Sequence, residues 1–217
     1  MNPSLKLFTV LFISLELTFT SKLWANIIII IGCLILLIHA GFRWQQFCWL
    51  VLVPLFPAIA IFITIVLFSP SHSLFYGLVL FSRLYMYVSL GTVFTFTTNP
   101  LALARSLEQN CHLPSKYAYG VLAALNLMTK MKQAVITIRA AGQMRGVVLH
   151  WWSPTLYFKA ILVALQWSDQ LAQAMESHGF VEGQARTSTI NIPLTVYDWL
   201  ITITLIVVIQ IIIIALP

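Results

Sequence analysis

Long apolar runs separated by short polar stretches dominate both ends of the chain. Apolar runs of roughly 20 residues are long enough to cross the hydrocarbon core of a bilayer as helices. Five membrane helices are predicted, at about residues 5–20, 23–40, 47–68, 74–96 and 196–216. The first is marginal in length, and Pro54 and Pro57 in the third predict a kink or a delayed start.

From about residue 97 the pattern changes to mixed apolar and polar positions. Proline is predicted at the first helical position of three junctions, Asn99-Pro100, Leu113-Pro114 and Ser153-Pro154. Asn99 and Ser153 are suitable N-caps. They predict helices at about 100–111, 114–145 and 154–178. Apolar residues recur every three or four positions in the two long helices. Those helices are too mixed to span a bilayer, so we expect them at its surface or against other helices.

The resulting fold class is an all-α integral membrane protein. It has about five transmembrane helices plus two long helices and one short helix in the cytoplasm. Three regions follow: 1–97 with four membrane helices, 98–192 with the cytoplasmic helices, and 193–217 with the last membrane helix. Residues 181–191 are predicted to be polar and extended.

Composition indicates the class of protein, and the positions of the basic residues indicate its orientation in the membrane. Hydrophobic residues make up 60% of the chain and charged residues 8%, which excludes a soluble domain. Eight of the twelve Lys and Arg residues lie between Thr97 and Pro193, so this block and the N-terminus should face the cytoplasm. Loop 69–73 contains no Lys or Arg and is predicted to face the outside. Only Lys22 departs from the rule that basic residues lie on the cytoplasmic side. The net charge of +6 therefore reports topology, and no nucleic-acid partner is expected.

The sequence predicts neither a cleavable signal peptide nor a known catalytic or metal-binding motif. Residues 1–20 lack a convincing small-residue cleavage site and contain Glu16, so we expect them to stay in the mature chain. The three cysteines form no Cys-x-x-Cys pair, and the five histidines have no ligand spacing. No phosphate-loop, zinc-protease or serine-hydrolase motif occurs. We expect no cofactor, no metal and no catalytic residue in this chain.

Glu16 and Arg83 are the ionisable residues placed deepest in the predicted membrane helices. Charges at this depth are costly unless paired or functional. They could pair with each other, or one or both could snorkel to an interface.

Two six-residue segments share the pattern Ala-x-x-x-(Arg or His)-Gly: Ala141-Gly142-Gln143-Met144-Arg145-Gly146 and Ala174-Met175-Glu176-Ser177-His178-Gly179. At a helix end, the alanine and the basic residue lie one turn apart on one face. The glycine stops the helix because it tolerates the left-handed conformation of a C-cap. The pattern predicts two helix tips that each display a basic group, although ordinary C-caps would look the same.

These landmarks resemble the transmembrane (T) component of energy-coupling factor (ECF) vitamin transporters, the CbiQ/EcfT family. The resemblance covers nearly the whole chain. It is carried by Met1-Asn2-Pro3, Thr97-Thr98-Asn99-Pro100, Leu113-Pro114, the first tip, and Ala174 to Phe180 at the second.

The resemblance implies that the cytoplasmic helices are coupling helices. Their tips would dock in grooves of two ABC-type ATPase subunits, which bind the ATP and Mg. The docking residues would be Ala141, Arg145, Gly146, Ala174, His178 and Gly179. His178 stands where the family has arginine, so this tip docks more weakly or an acidic groove restores its charge.

The resemblance also implies a small membrane protein, the S component, that binds the vitamin. Candidate contacts to it are Leu125, Met128, Leu165 and Met175, although packing between the two long helices is the commoner use of such stripes. Residues 116–123 look most like thiamine or hydroxymethylpyrimidine modules, with cobalt, biotin and other vitamins open. Two alternatives stand beside this reading: a permease subunit of a conventional ABC importer, and a membrane enzyme with an unrecognised site.

Overall fold

The computed structural model describes residues 1–41, 43–68, 74–181, 184 and 191–215. Those residues form eight α-helices and no strand. The helices are α1 (Pro3–Thr18), α2 (Leu23–His39), α3 (Trp44–Phe68), α4 (Leu74–Thr97), α5 (Pro100–Asn110), α6 (Ser115–Met144), α7 (Pro154–Ser177) and α8 (Val196–Ala215). The all-α class is confirmed. Loop 69–73, most of the predicted extended stretch 181–191, and Leu216 lie outside the described residues.

The prolines of α3 do not delay its start. The helix begins at Trp44, three residues before the predicted start, and runs through Pro54 and Pro57. Each proline removes one backbone donor. A segment in hydrocarbon nevertheless stays helical, because its other backbone groups have no water to bind there. The expectation of a delayed start is therefore wrong.

Both predicted N-cap residues precede their helices, but only Asn99 makes a side-chain capping bond. The side-chain oxygen of Asn99 accepts a hydrogen bond from the Leu101 backbone N–H at 3.0 Å. Ser153 occupies the N-cap position of α7 but makes no capping bond, since its hydroxyl lies 2.8 Å from that of Thr155. The predicted N-cap position of Ser153 is therefore confirmed, although its hydroxyl pairs with that of Thr155 and does not cap the helix.

The chain forms two compact units. The first comprises Met1–Ser106 with Ile192–Pro217, and the second comprises Leu107–Asn191. The three-region division at 97/98 and 192/193 follows membrane topology and stays a prediction.

The core of the first unit lies where α1, α2, α4 and α8 meet. Its buried members are Ile13, Leu17, Ala25, Ile29, Cys33, Met86, Leu90 and Ile209. Helix α3 packs on α4, where Gly77 lets the Phe62 ring approach: a Cβ on Gly77 would lie 3.1 Å from that ring. Between α2 and α4, the buried Asn26 amide donates to the Ser82 hydroxyl at 3.1 Å. Sequence reasoning did not identify this polar contact.

Two hydrogen bonds to backbone carbonyl oxygens define one side of the first unit. The Lys6 ammonium donates to Thr97 at 3.1 Å, and the Asn2 side-chain amide donates to Pro193 at 3.2 Å. The start of α1, the end of α4 and the segment that precedes α8 therefore lie on the same side.

Lys22 marks the opposite side. Its ammonium donates to the Ile213 carbonyl oxygen at 2.6 Å, in the last turn of α8. A cation is favourable at a helix C-terminus, where carbonyl groups lack intrahelical donors. Helices α1 and α8 therefore run in the same direction. This contact gives Lys22, the exception to the charge rule, a structural role at a helix end.

In the described part of the chain, α3, α4, α6 and α8 are long and apolar enough to cross a membrane, and α2 is a shorter apolar helix. Three of the five expected membrane helices, α3, α4 and α8, are among these four, and α6 is the fourth. The 16 residues of α1 extend only about 24 Å, short of a hydrocarbon core of about 30 Å. Helix α6 qualifies through its 30-residue length and is the least apolar of the four. We had expected α6 to be too mixed to span.

Asn2 forms a buried polar junction that the sequence pattern did not predict. Its side-chain oxygen accepts hydrogen bonds from the Ser4 backbone N–H at 3.2 Å, from the Ser4 hydroxyl at 2.9 Å and from the Ser106 hydroxyl. Its amide nitrogen donates to the carbonyl oxygens of Ile192, at 3.3 Å, and Pro193. One side chain thus caps α1 and ties it to α5 and to the segment before α8.

Substituting Asn2→Ala should destabilise the protein. The change leaves the buried Ser4 and Ser106 hydroxyls one hydrogen bond short, and an unsatisfied buried polar group typically costs about 1–3 kcal/mol. We expect a lower melting temperature in detergent. Asn126→Ala, at an exposed position of α6, is the control and should leave the melting temperature unchanged. Equal melting temperatures for Asn2→Ala and the unmodified chain would contradict this role.

Candidate functional site

The first tip, residues 141–146, ends α6 in a complete Schellman motif. Arg145 is the C-cap residue, and Gly146 follows with φ +74°. The Val147 N–H donates to the Gly142 carbonyl oxygen at 2.9 Å, and the Gly146 N–H donates to that of Gln143 at 3.0 Å. These two bonds satisfy carbonyl groups that a helix end otherwise leaves unpaired.

The second tip, residues 174–179, repeats this geometry at the end of α7. His178 is the C-cap residue, and Gly179 has φ +79°. The Phe180 N–H donates to the Met175 carbonyl oxygen at 2.9 Å, and the Gly179 N–H donates to that of Glu176 at 2.9 Å. The shared sequence pattern therefore produces the same backbone structure twice.

All six predicted docking residues are exposed to solvent. They are Ala141, Arg145, Gly146, Ala174, His178 and Gly179. At each tip the basic side chain follows the alanine by four residues and so extends from the same face of the helix. Exposure is necessary for docking. Docking itself stays a prediction.

The loop after the first tip folds back on the last turns of α6. Leu149, which is 4% exposed, lies against Gly142, where an added Cβ would come within 2.9 Å of its side chain. The Arg139 guanidinium donates from Nε to the Leu149 carbonyl oxygen at 3.1 Å and lies 4.7 Å from the centre of the Trp151 ring. These contacts hold the backbone on both sides of Arg145.

The second tip is tied to the other end of α6. The Phe180 ring packs edge-on against that of Tyr119, with 5.8 Å between the centroids and an interplanar angle of 83°. Helices α6 and α7 therefore run in opposite directions. From Tyr119 to Arg145 the axis of α6 extends about 39 Å at 1.5 Å per residue. The two tips accordingly lie toward opposite ends of this helix pair.

The four predicted S-component contacts divide by burial. Leu125 and Met175 are half-buried, whereas the side chains of Met128 and Leu165 are 61% and 57% exposed. Helix α7 is instead most deeply buried at Leu156 and Ala160. The exposure of Met128 and Leu165 argues against packing between the long helices at these two positions, and contact with the S component stays a prediction for all four.

Glu16 and Arg83 do not pair in the structure. Arg83 donates from a terminal guanidinium nitrogen to the Thr20 carbonyl oxygen, just beyond the end of α1. Within the described residues, the only ion pair is that between the Met1 amino group and Asp198. Arg83 thus reaches the turn between α1 and α2, which agrees with snorkelling.

Sequence reasoning missed Arg139 and Tyr119, which tie the two tips to α6. No local motif marks either residue. Arg139 precedes Arg145 by six positions on the same helix, and only the folded loop supplies its partners. In the described residues, no three His, Cys, Asp or Glu side chains come close enough to hold a metal ion.

A family model named CbiQ and described as cobalt transport protein matches residues 1–189. No curated protein matches the chain. The match covers the first four helices, the whole of the second unit's helix pair and both tips. The chain is therefore a multi-pass membrane protein that belongs to the CbiQ cobalt transport protein family, the family of ECF transporter T components.

Proposed function

We propose that this chain couples ATP hydrolysis to transport in an ECF-type ABC importer. It binds two ABC-type ATPase subunits and moves a small membrane S component that holds the vitamin. The observation that carries this proposal is the pair of identically capped, exposed tips toward opposite ends of α6 and α7. Two such ends can be held by two separate subunits, and the family match supports a role in transport.

The mechanism is mechanical. When the ATPases close on ATP, their grooves move the two tips. A tip transmits that movement only if it is joined rigidly to its helix. The Arg139 contacts stiffen the first tip, and the Tyr119–Phe180 contact joins the second tip to α6. Charge asymmetry along the chain supports a cytoplasmic location for both tips.

The two tips differ in charge. Arginine stays charged and can form a bidentate pair with a carboxylate, whereas histidine near neutral pH is a weaker cation. Glu176 lies two residues before His178, and α6 carries no acidic residue. The difference in charge between Arg145 and His178 favours two ATPase subunits with unequal grooves. The groove that binds His178 would supply a carboxylate to it.

Met128 and Leu165 are the better candidates for the S-component surface, because their side chains are exposed. Leu125 and Met175 contribute from half-buried positions at its edge. Substrate choice lies in the S component. Thiamine or hydroxymethylpyrimidine is proposed from residues 116–123 alone, and the family description names cobalt.

Replacing Arg145 by alanine should uncouple ATP hydrolysis from uptake. Losing a hydrogen bond to a charged group costs about 1.5–3 kcal/mol, which weakens docking roughly 10- to 100-fold. The measurement is substrate uptake and ATPase activity in proteoliposomes that contain this chain, its two ATPases and the S component.

Two controls accompany this variant. Lys159→Ala removes an exposed cation that belongs to neither tip and should preserve uptake. His178→Arg restores the family residue and should leave transport intact. Normal uptake by Arg145→Ala would exclude the docking role of the first tip.

Replacing Gly146 by alanine should weaken ATPase binding without removing a functional side chain. An added Cβ meets nothing within 4 Å, but the residue has φ +74°. A left-handed conformation costs a non-glycine residue roughly 1–2 kcal/mol, which favours unwinding of the cap. Co-purification of the ATPases should decrease.

Gly120 supplies the matched control for this backbone effect. It lies in α6, an added Cβ also meets nothing within 4 Å, and its φ is not positive. Gly120→Ala should stabilise the helix by about 0.5–1 kcal/mol and preserve ATPase binding. Equal ATPase recovery with both variants would contradict a role for the cap.

Leu165→Glu should reduce recovery of the S component while the ATPases stay bound. The substitution places a charge on a surface that we propose is apolar and buried in the complex. Gln166→Glu adds the same charge at the neighbouring exposed position and is the control. Undiminished recovery of the S component with Leu165→Glu would remove this residue from the interface.

A further inference from the structure

A groove of about 830 Å³ lies along α6 beside the loop that follows the first tip. Pockets that bind drug-sized ligands have about this volume. Its α6 residues recur at the three- and four-residue spacing of one helix face. The apolar lining includes Met131, Val135 and Ile136, the last of which is 67% exposed; Met128, the proposed S-component contact, is the first residue of α6 to line it.

Two cations line the same groove. Lys132 and Arg139 both contribute to its wall. Neither forms an ion pair with a carboxylate in the described part of the chain. Helix α6 carries four basic residues and no Asp or Glu, so the charge along the groove is uncompensated on its own element.

Aromatic side chains stand at one end of the groove. Trp151 lines it and is 63% exposed, and the neighbouring Trp152 is 90% exposed. Exposed tryptophans of membrane proteins concentrate at the level of the lipid headgroups. The groove therefore combines an apolar trough, two cations and an interfacial aromatic.

We infer that this groove binds an anionic phospholipid of the leaflet against which α6 lies. Lys132 and Arg139 bind the phosphate, Trp151 packs at the headgroup level, and an acyl chain follows Met131, Val135 and Ile136. Charge complementarity favours an anionic headgroup over a zwitterionic one. The site shares Arg139 and Trp151 with the contacts that hold the first tip, whereas Lys132 and Ile136 belong to the groove alone, so substitutions at those two residues test lipid binding independently of ATPase docking.

The first test compares lipids on the full chain. The chain in detergent receives equal concentrations of dioleoyl phosphatidylglycerol and dioleoyl phosphatidylcholine, and native mass spectrometry measures the bound fraction of each. We expect a preference for phosphatidylglycerol. Lys132→Gln should lower that preference roughly fivefold, because one cation near an anionic surface contributes about that factor.

Lys130→Gln is the matched control for Lys132→Gln. Lys130 is exposed on the same helix but lies roughly 200° around its axis from Lys132 and does not line the groove. It should change the preference less than twofold. Equal losses from both variants would indicate diffuse attraction and overturn the site, as would the absence of any preference in the unmodified chain.

Ile136→Ser tests the apolar trough separately from the charge. We expect weaker binding of both lipids with the preference between them kept. Unchanged binding of both lipids, or displacement of phosphatidylglycerol by inorganic phosphate at the same concentration, would show that the headgroup binds alone. Either result would overturn the proposal.

The second test uses the assembled transporter in its membrane. A photo-crosslinking amino acid replaces Ile136, and mass spectrometry identifies the product after illumination. A phospholipid adduct, reduced by Lys132→Gln but not by Lys130→Gln, supports the site. A crosslink to a protein chain instead assigns the groove to a protein partner and overturns the proposal.

Discussion

The backbone groups at helix ends impose the constraint on which this structure depends. Each helix leaves unpaired N–H groups at its start and unpaired C=O groups at its end, and lipid supplies no partner for them. The chain supplies its own. Asn2 caps the start of α1, Lys22 binds a carbonyl group in the last turn of α8, and Arg83 binds one just beyond α1. These polar contacts satisfy backbone groups at or just beyond three helix ends of the first unit.

The same constraint has a different solution in the second unit. There the backbone pairs with itself through two left-handed glycines, so the side chains of the C-cap residues are not needed for capping. Arg145 and His178 are therefore available to another molecule. If the side chain of Arg145 or His178 capped its own helix, that basic group would already be hydrogen-bonded and could not bind another molecule. The self-capped helix end is thus what makes a docking role physically reasonable.

Helix α6 combines several functions along one element. Its C-terminal end carries the first tip, Tyr119 near its start contacts the residue after the second tip, and the basic groove lies between them. Helix α6 is both unusually long and free of acidic residues. Those two properties suit a stiff connector that lies against an anionic surface. They also explain why length and composition alone rank it with the membrane-spanning helices.

The order of the eight described helices and most of their ends could be predicted from the sequence, because apolar periodicity, proline starts and glycine stops are local signals; the start of α3 was the exception. Both tips followed from the repeated Ala-x-x-x-(Arg or His)-Gly pattern for the same reason. The partners of polar and apolar side chains could not be predicted. Helix α7 is apolar on more than one side, so periodicity could not show that Leu156 and Ala160 would be buried and Leu165 exposed. The hydrogen bonds of Asn2 and the contacts of Arg139 join residues that only the tertiary structure brings together. Their hydrogen-bond partners are carbonyl and hydroxyl groups, which are too common along a chain to identify a pair from the sequence.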